Sequence, residues 1–121
     1  ASRRSAAQLA AIRDAVDQMQ AHTGENSEYV LADARFHIAV LRATNNRYLE
    51  ALENAIFAGL MLSIRLTNPE ERLNRQSVPL HRAIAEAIEA QDAEAAYDRM
   101  KDHLADAAKR LSAVVKLDPP A

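Results

Sequence analysis

Four residues of the sequence combine side-chain types and positions that could bind a metal ion. Asp33 and His37 lie four residues apart, a spacing that places both side chains on one face of a helix, within reach of a single ion. His81 and His103 each lie at or beside the apolar face of a different helical pattern. One carboxylate oxygen and three imidazole nitrogens suit a divalent transition metal such as Zn²⁺ or Ni²⁺. The four residues therefore predict a metal site that joins three helices.

Simpler interpretations of the same residues remain open. Asp33 with His37 could be an ordinary ion pair within one helix, which contributes little to stability. His81 could be a partly exposed residue near a helix start, and His103 could be a hydrogen-bonded residue of the core. His22 stands in the last turn before a glycine, so we assign it to the helix dipole. Spacing alone does not show that these residues meet.

The usual motifs of enzyme chemistry are absent from the sequence. A di-iron helical bundle needs Glu three residues before its histidines, and this chain has Met19, Ala34, Val78 and Met100 at those positions. There is also no His-Glu-x-x-His motif, no Gly-rich phosphate loop and no Gly-x-Ser-x-Gly elbow. We therefore expect a binding domain and not an enzyme, with a metal-dependent hydrolase or a purely structural helical dimerisation domain as the alternatives.

Arginines between the third and fourth predicted helices could bind an acid. Arg65 continues the apolar pattern of the third helix, so we expect it to face a pocket and to hold a carboxylate through its paired donors. The other members of this group are expected to be solvated, namely Arg72, Arg75 and Arg82.

Composition limits the class of protein. The chain has 121 residues, 49% of them hydrophobic and 26% charged, which is typical of one globular domain. It has no cysteine, which excludes disulfides and thiolate metal sites. Apolar runs of membrane-spanning length and a signal peptide at Ala1–Arg4 are both lacking, so we expect a cytoplasmic protein without membrane contact. The net charge is −2, so DNA contact requires another domain, and the start without Met indicates a fragment of a longer protein.

Residue usage predicts an all-α fold. Two glycines, four prolines and 4% aromatic residues leave few signals for strands and hairpins. Apolar residues at spacings of three and four predict helices over 5–22, 26–43, 47–66, 79–90 and 92–116, while the pattern leaves 70–76 undecided between helix and loop. Short connections favour an antiparallel bundle of about five to six helices around a central ligand or metal pocket.

Specific residues mark the expected helix ends. Gly24 is expected in the left-handed conformation after the first helix, and Asn45-Asn46 should break the second helix and cap the third. Pro79 is placed in the first turn of its helix, and Asp92 at the cap of the last one. The residues expected to face inward on the last three helices include Leu52, Leu80, Ile84, Ile88, Tyr97, Met100, Leu104, Leu111 and Val115, and Asp118-Pro119-Pro120 should end the fold.

The metal-site residues stand in a longer pattern that matches a known family. The pattern runs Asp-x-x-Phe-His, Asn, His, Asp, His, in the segments Asp33–His37, Ala43–Leu49, His81–Asp92 and Met100–Leu104. In this order and at these intervals, the chain resembles the FCD domain from about residue 5 to residue 115. That domain is the C-terminal effector-binding domain of FadR-type transcription regulators in the GntR superfamily.

The resemblance implies a helical bundle that binds a divalent metal and a small organic acid. Carried over position by position, the metal ligands are Asp33, His37, His81 and His103, and Asn46 joins Arg65 as a candidate for contact with the acid. The resemblance also implies a homodimer and a preceding winged helix-turn-helix domain that binds operator DNA. The chain has Asn45-Asn46 where the family usually has Gly-Asn, and nothing before Ser5 matches the family's first helix. We therefore expect one FCD-type domain over 1–121, without that helix, with a tail at 117–121.

Overall fold

The structure is a computed structural model that describes residues 5–115 of the chain. It contains six helices, and the described residues form no strand. The helices are α1 (Ala6–Ala21), α2 (Asn26–Ala43), α3 (Arg47–Ala51), α4 (Glu53–Thr67), α5 (Glu71–Glu89) and α6 (Ala93–Val115). The prediction of an all-α bundle is confirmed. No described helix is both long enough and apolar enough to cross a bilayer.

Five of the helices form a closed ring, and the core lies inside it. The helix α1 packs on α2 and α5, α2 packs on α4, and α6 closes the ring by contacting α4 and α5. The short α3 links α2 to α4. The main core cluster includes Ile12, Val16, Met19, Tyr29, Phe36, Ile84 and Ile88. Side chains of α2, α5 and α6 therefore point toward one another across the ring, which is where three helices can share a site.

The ends of α1 and α2 show how local chemistry sets the helix boundaries. Ser5 accepts a hydrogen bond from the Gln8 backbone N–H at 3.2 Å, and the Gln8 side chain accepts one from the Ser5 backbone at 2.7 Å. This reciprocal pair satisfies donors that the first turn leaves free. Asn45 takes the left-handed conformation with φ 53°, and Asn46 caps α3, as predicted. Gly24 does not have a positive φ, so its predicted left-handed turn is wrong.

The predicted third helix is divided in two. Leu52 separates α3 from α4 with φ −94° and ψ 3°, outside regular helix geometry, and its side chain is 56% exposed instead of facing inward. The helix α3 buries none of its residues, so the Asn46 cap and the chain connection orient it more than packing does. After the break, α4 packs along α2, where Ile64 joins a small cluster with Val30 and Ala34.

The helix α5 begins earlier than predicted. It starts at Glu71, so the undecided segment is helical and Pro79 lies inside the helix instead of in its first turn. Pro79 has no N–H, which leaves the Arg75 carbonyl without its helical donor. The helix nevertheless continues because residues on both sides of Pro79 are buried, including Val78 and Ile84. Leu80 is 45% exposed, so its predicted inward position is also wrong.

The helix α6 presents a different face to the core from the one predicted. Tyr97 and Leu104, expected inside, are 66% and 50% exposed. Met100 packs against the core and His103 is buried, so the inward face is rotated toward the histidine. The Asp92 cap is confirmed by a 3.0 Å hydrogen bond from the Ala95 N–H. The predicted stop at Asp118-Pro119-Pro120, the tail at 117–121 and the start at Ala1–Arg4 lie outside the described residues.

Candidate metal centre

The three histidines of the predicted site meet inside the helical ring. His37 of α2, His81 of α5 and His103 of α6 each offer a ring nitrogen, and these nitrogens lie within 4.8 Å of one another. The His37 and His103 rings stack with centroids 5.6 Å apart, and His81 meets His103 edge-on at 4.4 Å. The fold therefore brings together three imidazoles from three helices.

Asp33 joins the same cluster through one oxygen. Its Oδ1 atom lies 2.9 Å from Nε2 of His81 and 3.3 Å from Nε2 of His37. The carboxylate is only 3% exposed, in a region where an unpaired charge would be strongly destabilising. All four residues predicted as metal ligands thus lie in one contact network.

The surroundings of His81 require a proton or a metal cation between His81 and Asp33. Nδ1 of His81 lies 2.9 Å from the Ser77 backbone carbonyl, which can only accept a hydrogen bond, so Nδ1 carries a proton. Nε2 faces the Asp33 carboxylate, which when ionised also only accepts. The contact at Nε2 is favourable when a proton lies between the ring and the carboxyl group, or when a cation does.

The pKa shifts of this pair follow from the same geometry. Burial alone would raise the pKa of Asp33, but the His81 charge and the hydrogen bonds from His37 and His81 hold that pKa well below its usual range. Burial works against the charged form of His81, and the Asp33 charge and hydrogen bond outweigh it and raise the pKa of His81. Asp33 is therefore an anion at neutral pH.

His103 has the opposite character. Burial, assisted by the charges of His81 and His37, lowers the pKa of His103 to about 3, so its ring is neutral at neutral pH. Its Nδ1 atom is buried and has no hydrogen-bond partner within the described part of the chain. A neutral imidazole with an unused buried nitrogen is the form that binds a transition metal. The donor set of one carboxylate and three imidazoles therefore fits a divalent ion such as Zn²⁺ or Ni²⁺.

Comparison with known proteins identifies the family. The family model described as "FCD domain" matches residues 1–106. The chain belongs to the FCD family. It is 30% identical over 116 residues to the "Galactonate operon transcriptional repressor" of Escherichia coli (strain K12), in an alignment that covers 94% of this chain and 50% of that protein. The chain thus spans about half the length of this curated relative.

The two residues predicted to contact an acid lie apart from this cluster. Arg65 is an exposed residue of α4, so the structure does not place it facing an interior pocket as predicted. The Asn46 side chain accepts hydrogen bonds from the backbone of Tyr48 and Leu49, at 2.9 and 3.3 Å, which is the role of a helix cap. His22 pairs with Glu25 at 3.3 Å, also outside the cluster. The apolar pattern that predicts an inward Arg65 lies on a face of α4 that is partly exposed to solvent.

Arg110 is the cation that sequence reasoning missed. Its positive charge opposes protonation of both His81 and His103. For His103 this adds to the larger effect of burial, and for His81 the Asp33 charge and hydrogen bond outweigh both, so the pKa of His81 is raised overall. Its Nε atom is buried without a hydrogen bond, although it lies 3.4 Å from an Asp106 oxygen, and the side chain is 25% exposed. Arg110 follows His103 by two helical turns and so shares its face of α6. That spacing was the available signal.

A separate groove lies on another side of the FCD domain. It has a volume of about 640 Å³ and is lined by α1, α2 and α4, including Arg35, Arg42 and Phe57. None of the four metal-site residues lines it. Its two arginines make it the comparison site for any test of acid binding.

Proposed function

We propose that this FCD chain is the effector-sensing domain of a GntR/FadR-type bacterial transcription regulator, and that it binds one divalent metal ion together with a small carboxylate. The observation that carries the proposal is the contact between Asp33 and His81, which needs a proton or a cation, next to the neutral His103 with its unpaired nitrogen. Membership of the FCD family supports the regulatory role.

The residues proposed to hold the ion are Asp33, His37, His81 and His103. Asp33 supplies the negative charge that compensates the cation, and His103 supplies a nitrogen that needs no deprotonation at neutral pH. When bound, the ion would supply positive charge and coordination positions that are open to a carboxylate. Phe36 packs edge-on against His37 and His81, with centroid distances of 5.3 and 4.8 Å, and limits how far these rings can turn.

Arg110 is the proposed partner of the acid within the protein. Guanidinium groups bind carboxylates through paired donors, and this one has a buried Nε that makes an ion pair with Asp106 at 3.4 Å and no hydrogen bond. Its charge acts on His81 and His103, so a carboxylate bound between Arg110 and the ion would be attracted from both sides. Galactonate, which the relative's name mentions, is an acid of this kind and belongs in the ligand panel.

We further propose that operator DNA is contacted by a separate N-terminal domain, in a cytoplasmic protein. The relative is a transcriptional repressor about twice as long as the aligned region, and this chain has a net charge of −2. Effector binding would then change DNA binding through a shift between two conformations of the regulator.

A homodimer is the proposed assembly, formed through α4. This helix is rich in apolar residues, yet the structure buries only Ile64 and Thr67 of it, and Leu62 is 64% exposed. Gly59 lies in mid-helix with open space where a side chain would stand. Glycine weakens a helix interior, so its presence at this position needs an explanation. The close approach of a second copy of the chain would provide one.

The metal proposal predicts about one divalent ion per chain in protein purified without chelator. Alanine substitution of Asp33, His37, His81 or His103 should each weaken retention, because each removes one ligand. His22→Ala is the control, since His22 pairs with Glu25 outside the cluster. Metal content is measured by elemental analysis. Absence of metal, or equal loss in the His22 variant, would favour a structural helical domain over a sensor.

The acid proposal predicts that carboxylates stabilise the metal-loaded protein more than the metal-stripped one. A ligand at a hundredfold excess over Kd stabilises the folded state by about 2.7 kcal/mol, which shifts the Tm by several degrees. Arg110→Ala should reduce this shift and keep the metal, whereas Arg65→Ala should leave it unchanged. The measurement is a thermal-shift screen of small mono-, di- and tricarboxylates with and without metal.

Two other outcomes would redirect the assignment. Loss of the acid-induced shift in Arg35→Ala, with Arg110→Ala unaffected, would place the acid in the α1–α2–α4 groove instead of at the ion. Hydrolysis of an ester or amide panel by the metal-loaded chain, abolished by chelator, would support the metal-dependent hydrolase.

A further inference from the structure

Two residues behind His81 make contacts that the metal proposal does not use. Ser77 lies one helical turn before His81 on α5 and is 2% exposed. Nδ1 of His81 lies 2.9 Å from its backbone carbonyl and 3.2 Å from its hydroxyl oxygen. Both oxygens of Ser77 therefore face the ring nitrogen that points away from Asp33.

Tyr29 approaches Ser77 from the opposite helix. It is fully buried on α2, one turn before Asp33, and its hydroxyl has no hydrogen-bond partner among the residues described. Burial raises the pKa of Tyr29, the Asp33 charge raises it further, and the nearby Ser77 hydroxyl partly offsets both. Tyr29 also lies in the same buried core cluster as Val78, the residue after Ser77 on α5, while its own hydroxyl makes no hydrogen bond to Ser77.

A buried hydroxyl without a partner destabilises the state in which it is found. Phenylalanine would fill the same space in the core without that penalty. The Tyr29 hydroxyl is therefore expected to be used in another state of the protein, and Ser77 is a polar residue of α5 that interacts with it.

We infer that Tyr29 and Ser77 are positioning residues for the proposed metal site, which hold the His81 ring with its proton on Nδ1 and its Nε2 lone pair toward the ion. This inference rests on the proposed function. Ser77 accepts from Nδ1–H through its carbonyl and hydroxyl oxygens. Tyr29, by donating to the Ser77 hydroxyl oxygen, keeps that oxygen directed at the ring.

The arrangement connects both sides of the site to one helix. Tyr29 and Asp33 are one turn apart on α2. Asp33 contacts Nε2 of His81 directly. Tyr29, through Ser77, would support Nδ1 on the other side of the same ring. Hydrogen bonds on the far nitrogen of a ligating histidine fix its orientation and its tautomer. Rotation of the ring would move Nε2 away from the other ligands, so bracing should act on ion affinity.

The decisive variant is Tyr29→Phe in the complete chain. We expect about a tenfold weaker Zn²⁺ affinity, the lower end of the effect of removing such outer partners. The Tm of the metal-stripped protein should stay the same or rise, because an unpaired buried hydroxyl is removed. If Tyr29 served only in core packing, Tyr29→Phe would not lower the Zn²⁺ affinity while leaving the Tm unchanged or higher. Tyr97→Phe, at a 66% exposed position, is the matched control.

Ser77→Ala gives an independent measurement, with Ser112→Ala on the exposed part of α6 as its control. The ring nitrogens of His81 are followed by ¹⁵N NMR in the Zn²⁺-loaded protein. The unmodified chain should show a proton on Nδ1 and the ion on Nε2. Ser77→Ala should weaken Zn²⁺ binding, and the double variant Tyr29→Phe/Ser77→Ala should be less than additive because both act through one contact.

The outcomes distinguish this inference from the function on which it rests. Failure of the unmodified chain to bind Zn²⁺ would overturn the proposed function and this inference together. Zn²⁺ binding that stays within about twofold in both single variants, with Nδ1 still protonated, would overturn the positioning role alone.

Discussion

At the scale of single residues, the central feature is that one carboxylate oxygen serves two imidazoles. Oδ1 of Asp33 faces Nε2 of His81 and of His37, at 2.9 and 3.3 Å. Protons would therefore compete with a bound divalent ion for the same nitrogens, and lowering the pH should release the ion. His103 takes part differently, because it is already neutral at neutral pH.

His103 makes a specific prediction for the metal-stripped protein. Its folded-state pKa is about 3, below the ordinary value of 6.5, so between these values the unfolded state binds more protons. Its contribution to stability is therefore present above pH 6.5 and is lost as the pH falls toward 3. We expect His103→Asn to lose less stability than the unmodified chain between pH 7 and pH 4.5, measured by urea unfolding with chelator.

Comparison with His103→Asn separates the effect of His103 on stability from that of His81. The raised pKa of His81 has the opposite sign, because its contribution is present below the unfolded pKa and is lost as the pH rises through the folded one. His81 is common to both proteins, so the difference between them reports mainly on His103. Equal pH dependence in the two proteins would show that His103 is not held neutral.

The members of this cluster could be singled out from the sequence because each has a local signal. Asp33 and His37 share a helix face, and both His81 and His103 lie beside apolar positions. That these three helices meet, and that Asp33 pairs with His81, depends on packing over a separation of 48 residues. Arg110 was missed for the same reason, since the face that α6 turns inward is decided by its neighbours.

At the scale of helices, the turn between α5 and α6 is unusually well defined. The Gln91 N–H donates to the Ile88 carbonyl and the Asp92 N–H donates to the Ala87 carbonyl, both at 3.0 Å, in the pattern of a Schellman motif. Gln91 takes the left-handed conformation with φ 59°, a position that usually holds glycine. Asp92 then caps α6.

This turn predicts a stabilising substitution. Gln91→Gly should raise the Tm, because glycine avoids a left-handed penalty of about 1–2 kcal/mol, partly offset by its greater freedom in the unfolded chain. Gln91 is exposed, so no packing is lost. Differential scanning calorimetry is the measurement, and Ala90→Gly, at a residue with ordinary right-handed geometry, should lower the Tm instead. A lower Tm in Gln91→Gly would show that the side chain matters more than the backbone.

The helices that sequence predicts best are those whose boundaries depend on capping residues. Ser5, Asn45-Asn46 and Asp92 mark their boundaries correctly. The error at Pro79 arises where packing over a whole helix decides against a local preference, whereas at Leu52 the apolar periodicity continues through a break in the backbone. In α6, the apolar pattern that includes Tyr97 and Leu104 predicts the inward face, but the buried face is the one that carries His103.

At the scale of the whole molecule, the α4 surface is the feature that a single chain leaves unexplained. Leu52 and Leu62 are 56% and 64% exposed, and Tyr48 at the neighbouring α3 is 84% exposed. Contiguous exposed apolar residues of this kind mark interaction surfaces more often than scattered ones. Arg65 at one end of α4 and Glu50 near the other give this surface opposite charges that a two-fold axis could pair.

The dimer proposal predicts that Leu62→Glu produces a monomer. A charge at the centre of an apolar contact is desolvated without a partner, so association should weaken strongly. Metal content should be unchanged, because Leu62 lies on the outer side of α4. Sedimentation or light scattering measures the mass. Leu104→Glu, at a 50% exposed apolar position on α6, is the control that should remain dimeric.

The helical ring also has a consequence for how this chain could be stabilised. A protein without cysteine has no disulfide, yet the proposed site joins positions 48 residues apart on α2 and α5, and reaches α6 as well. An ion held there would act as a cross-link that restricts the unfolded chain, in the same way that a disulfide closes a loop. A chelator or low pH would release this cross-link, whereas reducing agents would not affect it. A cell could therefore adjust it through metal supply.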